Sequence, residues 1–225
     1  MLSLFAKIKT ALQGASSPVR VVFPEGEHPL IQKVAQQLTT FNVTPVLVFA
    51  TWAAQQAVDV PAGVETVVIA DSDGDRLARQ LFNLRRGKVT LPAARTLVQQ
   101  PVYFATMLLK NHTVDALVGG ISYPTSAIIR PALQIIRARP HTKLVSSVFL
   151  MVKGAQQLLF TDCALNVAPT ASQLATIARL GYKAARLLDL PHPQLALLSY
   201  STHASGQGET VDRVRAAVNQ LRTDH

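Results

Sequence analysis

The chain has 225 residues, and its 48% hydrophobic content with a mean hydropathy of +0.22 supplies enough apolar surface to bury a core, which excludes a disordered chain. Eleven glycines and 13 prolines exclude collagen-like and low-complexity chains, and no apolar run approaches the ~18 residues of a membrane helix. Twenty-two basic against 13 acidic residues give a net charge of +9 and a pI near 10.1, a balance that favours an anionic partner, whether nucleic acid, acidic lipid or a phosphorylated small molecule.

Lys7 and Lys9 interrupt the apolar N-terminal stretch, which therefore does not read as a secretory signal. The lone Cys163 cannot form an internal disulfide and favours a reducing compartment, so the chain reads as a cytoplasmic globular protein. Val19 to Phe23 reads as a strand stopped by Pro24-Glu25-Gly26, and His28 to Leu38 as a helix. Val43 to Phe49 is a second strand, Thr51 caps a short helix through Ala57, and Thr66 to Ala70 is a third strand. Asp73 starts a helix to Arg86. A further helix starts at about Thr90 and ends before Pro101, and another covers Val102 to Asn111. Val114 to Val118 reads as a buried strand ending at Gly119-Gly120.

Beyond it the pattern predicts a helix over Thr125 to Ala138, with Pro131 kinking it. Strands follow at Lys143 to Val152 and Gln157 to Thr161, then a long helix from Thr170 to Leu188. That helix carries Leu174, Ile177, Ala178, Gly181, Ala185 and Leu188 on one face. Leu195 to Tyr200 reads as the last strand and Glu209 to Leu221 as the last helix. Alternating strands and helices predict an α/β fold with a largely parallel sheet. Pro140 marks the boundary between a first lobe, 1–140, and a second, 141–225.

Two segments suit an anion, since open α/β sheets gather ligands where strands end and helices begin. In the first, Gly119-Gly120 lets the backbone pass close to a ligand, and Ser122, Thr125, Ser126 and the helix N–H groups can meet phosphate oxygens. Arg130 sits just inside that helix. The same residues also fit a simple tight turn with Arg130 paired to a surface carboxylate. The second segment, Ser199 to Gly208, is a loop dense in hydroxyls and glycine leading into Glu209 and Asp212. Neither a Walker loop nor a G-x-G-x-x-G motif occurs. Acids opening a helix also suit its dipole without any ligand.

Other patterns carry less. Histidines 28, 112, 141, 192, 203 and 225 never fall at i,i+4 spacing or beside Cys163, so a protein-built metal site is not expected. Cys163 reads as a buried structural thiol. Asp71, Asp73 and Asp75 resemble the start of a calcium loop, but no closing Glu follows, which leaves a solvated turn with helix capping. The 14 arginines are scattered, the densest basic group being Arg85, Arg86 and Lys88, so nucleic-acid binding is not favoured.

Taken together, several blocks resemble the phosphate acetyltransferases (phosphotransacetylases). They are Phe23 to Gly26, Pro101 to Met107, Ile129-Arg130-Pro131-Ala132-Leu133-Gln134-Ile135-Ile136, Leu144 to Met151, Asp162-Cys163-Ala164-Leu165-Asn166, Leu198 to Thr202 and Ser205 to Arg215. The resemblance implies transfer of an acetyl group between acetyl phosphate and coenzyme A, with coenzyme A a substrate and no metal or prosthetic group. It also implies two α/β lobes with mostly parallel sheets and helices on both faces, of the isocitrate/isopropylmalate dehydrogenase type, an active site in the cleft between them, and a homodimer. No membrane or nucleic-acid partner is expected.

Residue by residue, the resemblance makes Arg130 the catalytic arginine that faces the acyl phosphate. Arg85 matches an arginine that holds coenzyme A, with Arg86 and Lys88 beside it. Thr125, Ser201, Thr202 and Ser205 are assigned to substrate binding, and Cys163 lies near the site without acting as nucleophile. Three positions depart from the family pattern: Leu30 where an arginine is usual, Tyr123 for a histidine and Ala127 for an aspartate. The chain ends at His225, short of the family segment that closes the second lobe and carries a Ser-Arg pair and the aspartate general base. That departure keeps open a truncated, non-catalytic relative that binds coenzyme A or acyl phosphate, or that dimerises with a complete partner. Phosphate butyryltransferase is a further alternative.

Overall fold

The computed structural model describes residues 4–154, 156–190, 192–202 and 205–223. Helix α1 (Leu4–Gln13) leads into β1 (Val19–Phe23), whose β-branched run lies in the middle of a four-stranded parallel sheet. The remaining strands are β2 (Val43–Phe49), β3 (Glu65–Val68) and β4 (Ala116–Leu117), in the order β3-β2-β1-β4. Val19 pairs with Val43 and Phe23 with Leu47 on one side of β1, and Val21 with Ala116 on the other. Between the strands run α2 (Pro29–Leu38), α3 (Trp52–Gln56), α4 (Gly74–Arg85), α5 (Leu91–Val98) and α6 (Pro101–Lys110).

Alternation along β2 places neighbouring side chains in two different cores. Val46 and Val48 join Leu77, Leu81, Val98, Phe104, Met107 and Ile135, while Leu47 and Phe49 join Phe23, Ile31 and Ala35 of the opposite layer. Both faces of the sheet are therefore covered, as a parallel sheet requires. Full burial of a Leu, Val or Phe contributes about 1.5–3 kcal/mol, so this strand is a main source of stability. The helices begin where the sequence placed them, and Thr51, read as a cap, is joined by His28, Asp73 and Thr90: each accepts a backbone N–H of the following turn. Arg20 ties the sheet's far end together, donating to both carboxylate oxygens of Glu65 (2.8 and 2.7 Å) and to the Thr113 carbonyl (2.9 Å).

The chain divides into two compact units, Met1–Arg137 and Ala138–His225. The first ends in α7 (Thr125–Pro131) and a wider π-type turn, Ala132–Ile136. Pro131 has no N–H to donate, Ala132 N–H bonds the Ile129 carbonyl, and Arg137 N–H reaches back five residues to the Ala132 carbonyl at 3.0 Å. The second unit holds β5 (Val148–Lys153), β6 (Gln156–Thr161), α8 (Ala171–Leu187) and α9 (Glu209–Arg222). Thr170 and Gln173 form a reciprocal capping box at the start of α8. The expected apolar face of α8 is buried at Ile177, Ala178, Gly181 and Ala185, with Ala175 beside them.

Four element readings need correction. Residues 195–200 form no strand: no ladder partner lies beside them among the described residues, and Leu195 to Leu198 instead line a cavity of about 300 Å³ with Leu159, Leu174 and Ile177. The strand read from Lys143 starts only at Val148, and it pairs antiparallel with β6 rather than extending a parallel sheet. The strand read to Ala70 stops at Val68, where a 3-10 turn begins, and regular pairing of β4 is confined to Ala116–Leu117. Gly154, at φ +58°, supplies the left-handed residue of the β5–β6 connection.

Candidate functional site

In the first unit, the sheet order reverses direction between β1 and β4, so the crevice beyond their carboxyl ends is where such sheets bind ligands. The two segments that meet there are Pro24-Glu25-Gly26 after β1 and Gly119-Gly120 after β4. A methyl group on Gly119 would stand 2.9 Å from Pro24 Cγ, and Gly120 has φ +115°, so both positions require glycine. The loop does offer converging N–H groups, but an external phosphate is not what they meet. Glu25 Oε2 accepts from Gly120 (2.8 Å) and Ile121 (3.3 Å), and Oε1 from Ser122 (2.5 Å) and Tyr123 (3.2 Å). Burial raises the affinity of this carboxyl for a proton, yet the four donors outweigh burial and hold it below the ordinary glutamate value.

The loop continues into α7, where Thr125 and Ser126 are exposed and Pro124 provides no side-chain cap. Arg130, near the end of α7, is exposed and makes no hydrogen bond or ion pair among the described residues; no surface carboxylate holds it. Its charge is felt at Tyr103, as is that of Arg85. Tyr103 is 5% exposed and donates to Gln134 Oε1 at 2.9 Å, while Arg85 reaches the Gln134 carbonyl at 3.5 Å. Burial pushes the Tyr103 hydroxyl above its ordinary value, and the two arginines oppose that push. Arg85 and Arg130 are thus brought to one neighbourhood, organised by Tyr103 and Gln134. Arg86 is not part of it: exposed and left-handed at φ 46°, it caps the end of α4. Of the departing positions, Leu30 is 56% exposed on α2, whereas Tyr123 is partly buried beside Glu25.

The second unit contains its own polar node. Asp162 accepts from the N–H groups of Ala164 (3.0 Å), Leu165 (3.1 Å) and Asn166 (3.1 Å), and from the Ser147 hydroxyl and the Asn166 amide. Burial again works against ionisation, and the Ser147 hydroxyl with these donors overrides it, leaving the Asp162 carboxyl far below its ordinary range. Ser147 Oγ in turn accepts from Cys163 N–H (3.0 Å) and Ala164 N–H (2.9 Å). Cys163 itself is only partly buried, not sequestered as a core thiol, and its Sγ lies 3.2 Å from the Phe160 carbonyl.

The hydroxyl-rich loop of this unit is bound to itself. Ser201 Oγ accepts from Gly206 N–H (2.9 Å), Ser205 Oγ donates to the Thr202 carbonyl (2.6 Å), and Tyr200 donates to the Gln207 carbonyl (2.6 Å). Ser201 and Ser205 therefore serve loop closure, and a Cβ on Gly206 would stand 2.6 Å from Ser201 Cβ. His203 and His225 lie outside the described residues. Among the described residues, no three His, Cys, Asp or Glu side chains are grouped to hold a metal, and no helix is long and apolar enough to cross a membrane. Asp73 caps α4, and Asp75 binds Arg95 (2.8 Å) and Arg79 (3.2 Å), so the acidic triplet is a capped, paired turn.

Comparison with known proteins places this architecture. Residues 3–225 match the sequence model of the family described as Phosphate acetyl/butaryl transferase. The chain is 37% identical over 224 residues to a phosphate acetyltransferase of Mycoplasma capricolum, covering 96% of this chain and 68% of that protein. It is also 37% identical over 205 residues to a phosphate acetyltransferase of Salmonella typhimurium, where it spans 88% of this chain but 28% of the longer protein. A phosphotransacetylase structure from Streptococcus pyogenes superposes with a TM-score of 0.85 at 30% identity, over 99% of this chain and 69% of that one. The fold is that of the phosphotransacetylases. The chain belongs to the phosphate acetyl/butaryl transferase family.

Proposed function

We propose that this chain binds acetyl phosphate and coenzyme A and moves the acetyl group between them. In the forward direction the coenzyme A sulfur attacks the carbonyl carbon of acetyl phosphate. The bond from that carbon to the oxygen it shares with phosphorus breaks, the electron pair stays on that oxygen as phosphate leaves, and the thiol proton ends on the phosphate released. Negative charge grows on the carbonyl and bridging oxygens as this happens, and a fixed guanidinium at those oxygens lowers the barrier. Arg130 suits the task because its planar fork can hold two phosphate oxygens at once and no protein carboxylate among the described residues competes for it. That unpaired, exposed guanidinium, in a chain of this family, is the observation that carries the reading.

Arg85 adds a second positive charge in the same neighbourhood and is assigned to a coenzyme A phosphate, with Tyr103 and Gln134 holding the pair of elements in place. Thioester formation from acetyl phosphate and coenzyme A tests the assignment. Arg130→Ala is expected to lower kcat/KM by about 100-fold or more while leaving the KM for coenzyme A nearly unchanged. Turnover within about twofold of the parent would remove Arg130 from the reaction. Running the same assay with butyryl phosphate measures how far the pocket admits a longer acyl chain.

A further inference from the structure

Nothing in the acetyl-transfer reading uses Glu25, yet the residue is 7% exposed and its carboxylate carries four main-chain hydrogen bonds from residues almost a hundred positions away. Successive N–H groups turned inward make a concavity suited to an anion. Here that concavity lies at the switch point of the sheet, where a ligand is expected, and the anion comes from the chain itself. The fit is enforced from both sides. A Cβ on Gly26 would stand 2.6 Å from the Val48 carbonyl oxygen, and one on Gly119 would meet Pro24. The Pro24-Glu25-Gly26 turn is therefore wedged between β2 and the loop. Two residues after Tyr123, α7 begins, and Arg130 is its sixth residue, less than two turns from the clamp.

Resting on the acetyl-transfer reading, we propose that Glu25 is a positioning residue: its carboxylate fills the nest formed by residues 120–123, fixes the entry into α7, and so aims Arg130 at the phosphate of acetyl phosphate. The occupied nest also denies that phosphate a rival seat. Substrate phosphate is then met by the Arg130 guanidinium instead of by the N–H groups of residues 120–123, which Glu25 already occupies.

Glu25→Gln and Glu25→Ala test this in the full chain. Each carboxylate oxygen serves two N–H groups, so either orientation of a glutamine turns its NH2 against two donors. Calorimetric titration with inorganic phosphate should show affinity reduced by between about tenfold and 100-fold in both variants. Formate, a free carboxylate small enough to enter the space the deleted side chain leaves, should restore binding and turnover in Glu25→Ala. It should restore neither in Glu25→Gln, where the amide still fills the space. The KM for coenzyme A should stay within about twofold throughout, which separates aiming from general loosening. Phosphate affinity of Glu25→Ala equal to the parent, or a loss that formate does not repair, overturns the proposal. If Glu25→Ala does not fold, Glu25→Gln decides: unchanged phosphate affinity overturns it, and lost affinity with an unchanged circular dichroism spectrum supports it. A parent that binds no phosphate overturns the acetyl-transfer reading instead, while a melting temperature of Glu25→Ala that rises with formate still upholds the clamp.

Discussion

Each unit holds one carboxylate in a cage of backbone donors, and the two cages are built differently. Glu25 gathers N–H groups that lie 95 to 98 residues away along the chain, whereas Asp162 gathers those two to four residues downstream. The first cage joins the ends of two strands; the second tightens one turn, with Ser147 reaching in from 15 residues upstream. A long-range cage depends on the sheet already being formed and in turn locks it, so its loss should be felt across the unit. A local cage shapes its own turn, and its loss should stay local.

The largest expected effect is therefore at Glu25. Glu25→Gln should destabilise by about 3 kcal/mol, since two main-chain donors lose a charged acceptor and face an NH2 group in either amide orientation. Asp162→Asn should lose nearer to 1.5 kcal/mol, because an asparagine oxygen in the Oδ1 position keeps Ser147, Ala164 and Leu165 and gives up only the two Asn166 bonds. Urea unfolding followed by circular dichroism checks both, and equal losses would erase the distinction between the cages.

Sterics sharpen the same contrast at a smaller scale. Gly26→Ala drives a methyl group onto the Val48 carbonyl of a buried strand, which cannot step aside, and should cost about 2–3 kcal/mol. Gly181→Ala meets Thr161 Cγ2 at 2.6 Å, a side-chain methyl that can turn away, so about 1 kcal/mol is expected. Thermal unfolding of the two variants should rank them in that order.

Acid should give the smallest and broadest effect. Both carboxyls are held below their ordinary values, so the stability they contribute is complete above pH ~5 and declines as the pH falls below the unfolded-chain values near ~4. Unfolding free energies measured between pH 6 and 3 should therefore be flat at first and then drop, and the drop should be shallower in Glu25→Gln. An unchanged slope would show that Glu25 binds its proton equally in the folded and unfolded chain.

Most elements of the first unit were legible in the sequence because each carries a local signal. The run Val43–Phe49 is too apolar for anything but a covered strand, and His28, Thr51, Asp73 and Thr90 announce helix starts by their side-chain oxygens or nitrogens. Direction and partnership of strands are not local properties. Gln157 to Thr161 was visible as a strand, but its antiparallel pairing with Val148–Lys153 was not, and Leu195 to Tyr200 has strand composition without a ladder to join. The site shows the same limit. Gly119-Gly120 was readable as an anion loop, but no spacing rule links it to a glutamate 95 residues earlier. Only the turn residues on either side of Glu25 hinted that this position is pinned.

The clamp on residues 120–123 also changes what kind of object the loop is. Without helix or strand, the segment would pass for a flexible connection, yet its amide hydrogens face a buried carboxylate rather than water. Their exchange with heavy water should be as slow as that of the paired strands beside them, since opening them requires the sheet edge to part. A stretch of irregular backbone can therefore serve as a fixed post, and any hinge needed to admit a substrate the size of coenzyme A must lie elsewhere in the chain.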